Sequence, residues 1–338
     1  MLTEEAILAL PKLEQHVHIV GSTRPETLLW LIRDQGKDDP LKTIEDVRNF
    51  YQYRDFEHFI SVYSRVNDYI TKERYYERIA YEMLESDAKC NVRHVEAIWS
   101  PYDHVRRGLD YEKMLDYINR GIRRAESDFG VTCTIRVDLV RNYGPDVGMK
   151  VLDMVEVKGD NIVGIDLGGS EEGYPPDPYE RAYHRARDLG LHLVAHAGEA
   201  SGPKSVWGAV SKLGVERIGH GVAAARDPSL MRELAAKGVA VETCPVSNLR
   251  TGAVKRMADH PIRSFIEGGI LVSVSGDDPP MFNTDMGNEY LTLHRELGFT
   301  VDELYKISTD SIETSFLPEE KKERLRKSFQ REYEKLVE

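Results

Sequence analysis

His16 and His18 end a short alternating run near the beginning of the chain. Residues i and i+2 of a strand face the same side, so two imidazoles would converge on one point. Neutral imidazole is the commonest side-chain metal ligand, and an ion such as zinc would need two or three further donors from elsewhere. Three later stretches offer polar groups of the right kind: His196-Ala-Gly-Glu199, Gly219-His220-Gly221 and Ser275-Gly-Asp-Asp278. Singly, each histidine reads more readily as a satisfied structural side chain. Together, His16, His18, His196 and Asp277 make a donor set for one zinc ion per chain, with room left for a water, the open arrangement expected of a catalytic site. Zinc brings the pKa of a bound water to about 7, which makes hydroxide available at neutral pH.

Groups so far apart in sequence need a scaffold that gathers them. Eight short β-rich segments recur along the chain, at 13–18, 92–99, 131–139, 161–167, 191–197, 216–220, 239–243 and 270–275. Stretches of helical character separate most of them, among them 177–189, 202–213, 228–237 and 261–268, several followed closely by glycine as a stop signal. Strand alternating with helix implies a parallel sheet, and eight such units imply an α/β fold of the (β/α)8 TIM barrel type. The first strand is not followed by the glycine-rich phosphate turn of an open doubly wound sheet. Barrel enzymes present their catalytic groups at the C-terminal ends of the strands, and that is where the four polar stretches fall.

Residues 22–91 are too long for a single crossover and read as a helical insertion after strand one. Within it Phe56, Phe59, Ile60, Tyr63, Val66 and Ile70 recur at spacings of three and four, the mark of an amphipathic helix that packs on the barrel wall, covers its mouth, or does both. The charged tail 319–338 reads as a solvated terminal helix. With no linker or repeat, residues 1–338 are expected to form one metal-dependent hydrolase domain.

The formal charge of -12 argues against nucleic acid or an anionic membrane surface as partner. Cys90, Cys133 and Cys244 are few, odd in number and widely spaced, as suits reduced thiols in the cytoplasm. The opening ten residues carry acids where a signal peptide carries bases, and no run reaches the roughly 18 apolar residues of a membrane span. A small molecule is the expected partner, and self-association stays open.

As an ordered set, Pro11-Lys-Leu-Glu-Gln-His-Val-His18, Ile165-Asp-Leu-Gly-Gly169, His196-Ala-Gly-Glu199, Arg217-Ile-Gly-His-Gly221, Cys244-Pro-Val-Ser-Asn248 and Ser275-Gly-Asp-Asp-Pro279 resemble the motifs of the adenosine deaminases and their adenine and aminodeoxyfutalosine deaminase relatives, in the amidohydrolase superfamily. The resemblance runs over nearly the whole chain. It implies hydrolytic removal of the 6-amino group of a purine nucleoside, giving the 6-oxo product and ammonia. Carried over residue by residue, it makes His16, His18, His196 and Asp277 the zinc ligands. Glu199 becomes the proton shuttle to purine N1, which the chemistry requires because attack at C6 builds charge on the neighbouring nitrogen. His220 orients the attacking hydroxide, Asp278 bonds to N7, and the backbone N–H of Gly169 faces N3. Cys244 is assigned no chemistry and reads as a small buried residue at a strand end.

One position departs from the pattern. Adenosine deaminases usually carry Asp, and adenine deaminases Glu, two residues after the second histidine, where this chain has Val20. Valine cannot accept a hydrogen bond from a ribose 5'-hydroxyl. A 5'-modified adenosine such as aminodeoxyfutalosine, an intermediate of a menaquinone pathway, has no such hydroxyl, and the deaminases that act on it are similar here at Val20-Gly-Ser22 and around 54–59. A carboxylate on that substrate needs a cation. Arg54, Arg106, Arg107 and Arg141 lie in segments that reach the barrel mouth, although each reads more simply as a solvated surface residue. The alternatives are an adenine deaminase or another mononuclear amidohydrolase. A two-metal lactonase or phosphotriesterase is disfavoured because strand four ends without the bridging lysine.

Overall fold

The computed structural model describes residues 3–54 and 56–337, so Asp55 of the 54–59 stretch and the last residue of the charged tail lie outside the described residues. Eight strands run in sheet order and pair in parallel. They are β1 (Lys12–His18), β2 (Val92–Trp99), β3 (Thr132–Asp138), β4 (Ile162–Asp166), β5 (His192–Ala197), β6 (Arg217–His220), β7 (Ala240–Thr243) and β8 (Val272–Val274). All eight expected strands are present, and β8 is the shortest at three residues. Helices lie between them, as a (β/α)8 TIM barrel requires.

The last gap in the cylinder closes through the turn that follows β8. His18 N–H donates to the Asp277 carbonyl at 2.8 Å, and Asp277 N–H donates to the His16 carbonyl at 3.0 Å, so Val17 and Asp277 form a parallel bridge. The backbone of one acidic residue is thereby stitched between the two histidines of β1.

Between β1 and β2 lie four helices, Pro25–Gln35, Ile44–Phe50, Phe56–Tyr69 and Tyr75–Lys89. Phe56–Tyr69 buries Phe59, Val62 and Val66, which accounts for its apolar spacing. Phe59 stacks on Phe282 at 4.8 Å between ring centroids, tying this helix to the short helix Pro279–Phe282 that follows β8. Two longer helices come after that short one, Met286–Leu297 and Val301–Thr314, and all three are additional to the elements expected from the sequence. Of the longer two, the first is capped by the Asp285 carboxylate on Asn288 N–H, the second by a Thr300/Glu303 capping box. The tail forms the expected helix, Glu319–Val337. Among the described residues no helix is long and apolar enough to cross a membrane.

Candidate active site

His16, His18, His196 and Asp277 meet at the C-terminal ends of β1, β5 and β8, and their ligand atoms all lie within 4.8 Å of one another. His18 Nε2 is 3.3 Å from His196 Nε2 and 3.3 Å from Asp277 Oδ1, while His16 Nε2 is 3.6 Å from the same oxygen. Two donors each about 2 Å from a tetrahedral ion stand about 3.3 Å apart, so these three separations suit a zinc-sized ion. His16 Nε2 is buried with no hydrogen-bond partner, an orphan that a ligated ion would satisfy.

The other nitrogen of two of these rings is tied down from below. His16 Nδ1 donates to Glu242 Oε2 at 2.8 Å, and His196 Nδ1 donates to Asp166 Oδ1 at 2.9 Å, which turns both Nε2 atoms towards the shared point. Arg136, fully buried, joins these two carboxylates. Its guanidinium lies 2.7 Å from Glu242 Oε1 and 3.4 Å from Asp166 Oδ2. Burial alone would raise both acids. The charges of Arg136 and Arg217, with the His16 contact, instead hold Glu242 at about 2, and those of His196 and Arg136 hold Asp166 well below the usual carboxylate range. His16 goes the other way. Burial opposes its protonation, but the Asp277 carboxylate 3.6 Å away and the hydrogen bond to Glu242 raise it to about 10.

Glu199 and His220 face this group. His220 Nε2 is 3.6 Å from Glu199 Oε2 and 4.0 Å from Asp277 Oδ2. Burial first, then the negative charges of Asp277 and Glu171, push the Glu199 carboxyl up to about 8. The loop carrying Glu199 is held by Glu171, whose carboxylate accepts the backbone N–H groups of Gly198 at 2.5 Å, Glu199 at 3.0 Å, Ala200 at 2.8 Å and Ser201 at 2.9 Å. Sequence reasoning missed Glu171, because an acid in a loop carries no mark of four local donors. It also missed the work of two residues in the Cys244–Asn248 stretch. Ser247 Oγ donates to Asp277 Oδ2 at 2.6 Å, and Asn248 Nδ2 lies 3.0 Å from His220 Nδ1. Cys244 is fully buried, and burial raises its thiol well above the ordinary value.

A cavity of about 310 Å³ opens over the cluster. Gly169, Glu199, His220, Asp277 and Asp278 line its inner part together with His18 and His196, and Phe56, Phe59, Ile60 and Tyr63 of the Phe56–Tyr69 helix line another wall. That helix therefore both packs on the fold and covers the site. Asp278 Oδ1 is buried without a partner, and Gly169 sits at φ +84. Gly21 is needed for close approach, since a Cβ there would overlap Asp278 Oδ1.

Two expectations change. Val20 is buried, 2% exposed, and is not among the residues lining the cavity; its side chain packs in the core. Arg141 is not a solvated arginine: it is 1% exposed and donates to the carbonyls of Tyr174 at 2.8 Å and of His196, because the loop after β3 folds inward against β5. Arg54 is exposed and away from the cavity wall, whereas Arg106 and Arg107 line it.

The comparisons with known proteins agree with one another. The adenosine deaminase family model matches residues 11–331. The chain is 35% identical over 314 residues to an aminodeoxyfutalosine deaminase of Streptomyces avermitilis, covering 92% of this chain and 88% of the relative. It is 32% identical over 323 residues to an adenine deaminase of Acinetobacter baylyi, covering 96% and 97%. A solved amidohydrolase from Burkholderia ambifaria with bound Zn superposes with a TM-score of 0.91 at 27% identity, covering 99% of this chain and 93% of that one. The chain belongs to the adenosine deaminase family and is an enzyme, a hydrolase acting on a C–N bond of a cyclic amidine.

Proposed function

We propose that this protein removes the 6-amino group from a 5'-modified adenosine bearing an acidic group, of which aminodeoxyfutalosine is the example, and that it does so as a cytoplasmic enzyme with one zinc ion per chain and the whole barrel as its single domain. The observation that carries the reading is the convergence of His16, His18, His196 and Asp277 beside Glu199 and His220 under one cavity.

His16, His18, His196 and Asp277 are the residues that would hold the ion, which supplies a water acidic enough to attack carbon at neutral pH. Glu199, protonated at pH 7 by its burial, delivers a proton to purine N1 and so makes C6 accept the attacking oxygen. His220 holds that oxygen in place from the other side. Asp278, kept protonated by its burial and by the charge of Asp277, donates its carboxyl O–H to N7, which can only accept, and the Gly169 backbone N–H meets N3. Glu199, left ionised, then takes the proton of the new C6 hydroxyl and passes it to the amino group, so that the C6–N bond breaks with ammonia as the leaving group and the 6-oxo purine remains.

The acidic substituent is assigned from the outer part of the cavity. Arg107 is paired with Asp68 at 2.7 Å. Arg106 lies over the Tyr143 ring at 5.2 Å and forms no ion pair among the described residues, so a carboxylate entering the cavity finds a cation held on an aromatic face. The relative that deaminates aminodeoxyfutalosine is consistent with this. Adenine deamination is the second reading, favoured by the likeness to the Acinetobacter baylyi enzyme. Arg106→Ala separates the two. It should raise KM about tenfold for the acid-bearing nucleoside, the scale of one charge-assisted contact, and leave adenine turnover unchanged. Equal effects on both substrates would remove Arg106 from the specificity argument.

A further inference from the structure

Which nitrogen of His220 carries the proton decides how the ring meets the oxygen it faces. Nε2 points at the site, and Nδ1 points away, at Asn248. The contacts behind Asn248 have a fixed direction, because they begin at a backbone N–H that can only donate. Ile262 N–H donates to His260 Nδ1 at 3.3 Å. An imidazole that accepts at Nδ1 carries its proton on Nε2, and His260 Nε2 lies 3.1 Å from Asn248 Oδ1. With its oxygen so engaged, the Asn248 amide presents its NH2 to His220 Nδ1 at 3.0 Å, which must accept.

The three side chains are shut off from solvent that could reverse this order, since His220, Asn248 and His260 are 1%, 0% and 5% exposed. Burial also pulls His260 down to about 4, so it stays neutral and able to accept from Ile262.

We propose that Asn248 and His260 are positioning residues that lock His220 as its Nε2–H tautomer, so that it meets the attacking oxygen as a hydrogen-bond donor and not as a base. The reaction served rests on the deaminase reading above; the tautomer does not. In the opposite tautomer a lone pair on Nε2 would face the Asp277 carboxylate 4.0 Å away, and the ring would have no N–H to offer the oxygen it has to guide. The Cys244–Asn248 stretch thus reaches the site twice, through Ser247 to Asp277 and through Asn248 to His220.

Ring-15N labelling of the histidines in the zinc-loaded protein reads the tautomer directly. The wild type should show His220 as a single Nε2–H form. Asn248→Leu and His260→Leu should each lose that single form and lower kcat about 10–100-fold, the usual cost of removing an outer hydrogen-bond partner, with KM little changed and zinc retained. His260→Gln, whose amide N–H can replace the Nε2–H towards Asn248 Oδ1, should restore most of both. A wild-type His220 protonated on Nδ1, or variants in which the tautomer is unchanged, would overturn the proposal. The wild-type spectrum decides even if a variant does not fold. An Nε2–H spectrum alongside no turnover of any 6-aminopurine would uphold the lock and sink the deaminase reading.

Discussion

Two residues of the site hold backbone conformations that side chains other than glycine avoid: His220 at φ +62 and Asp277 at φ +64. Each costs about 1–3 kcal/mol, and for Asp277 the two backbone hydrogen bonds to β1 offset that cost. Strain of this kind aims a side chain in a direction that a regular strand end does not offer. At the same scale, Glu199→Gln should keep zinc, because shape survives, and lose orders of magnitude in kcat, because the transferable proton does not. Metal analysis beside steady-state kinetics checks it, and a variant with near-normal turnover would rule out the shuttle. Gly21→Ala drives a Cβ into Asp278 and should raise KM about tenfold with zinc content unchanged; an unaltered KM would mean that Asp278 does not touch substrate.

At the scale of elements, strand ends were legible because the chemistry marks them: a histidine pair at spacing two and an Asp-Asp pair after β8 rarely fall in one chain by chance. The supports beneath them were not. Arg136, Asp166 and Glu242 look like ordinary charged residues in sequence, and only the closed barrel brings β3, β4 and β7 to bear on His16 and His196. Val20 misled for a related reason. Its position in the motif suggested a substrate contact, whereas the turn after β1 directs the side chain into the core. The two longer helices after β8 lie beyond the last ligand and outside the strand–helix alternation, although Thr300 with Glu303 three residues on is a capping box visible in sequence. Arg136→Met tests the support. It takes the guanidinium from buried Asp166 and leaves Glu242 with Arg217 alone, 2.8 Å away, and should cost about 3–5 kcal/mol, seen as a lower Tm; an unchanged Tm would show the network to be dispensable. Glu171→Ala strands four N–H groups and should lower kcat more than it lowers Tm, whereas normal turnover would mean that the Glu199 loop holds itself.

For the whole molecule, metal and barrel closure are one matter, since Asp277 serves both. In the metal-free protein His16 is raised to about 10 and His18 is raised as well. Both pKa values exceed the unfolded value of about 6.5, so the stability these protonated rings give the metal-free protein is full below that value and lost as pH rises through the folded one. Zinc needs the rings neutral, so protons compete with it at every pH below the folded values. Zinc affinity should therefore rise with pH up to about 10, about tenfold per unit for each proton displaced, and calorimetry in buffers of different ionisation heat should show proton release. An affinity independent of pH would contradict the ligand assignment.

The most direct measurement is ultraviolet-monitored turnover of adenosine, adenine, 5'-methylthioadenosine and aminodeoxyfutalosine, side by side, by the zinc-loaded protein. The expected result is conversion to the 6-oxo purine with ammonia released, with the highest kcat/KM for aminodeoxyfutalosine. Zinc bound at one ion per chain with no loss of the 6-amino group from any of the four would contradict the assigned reaction.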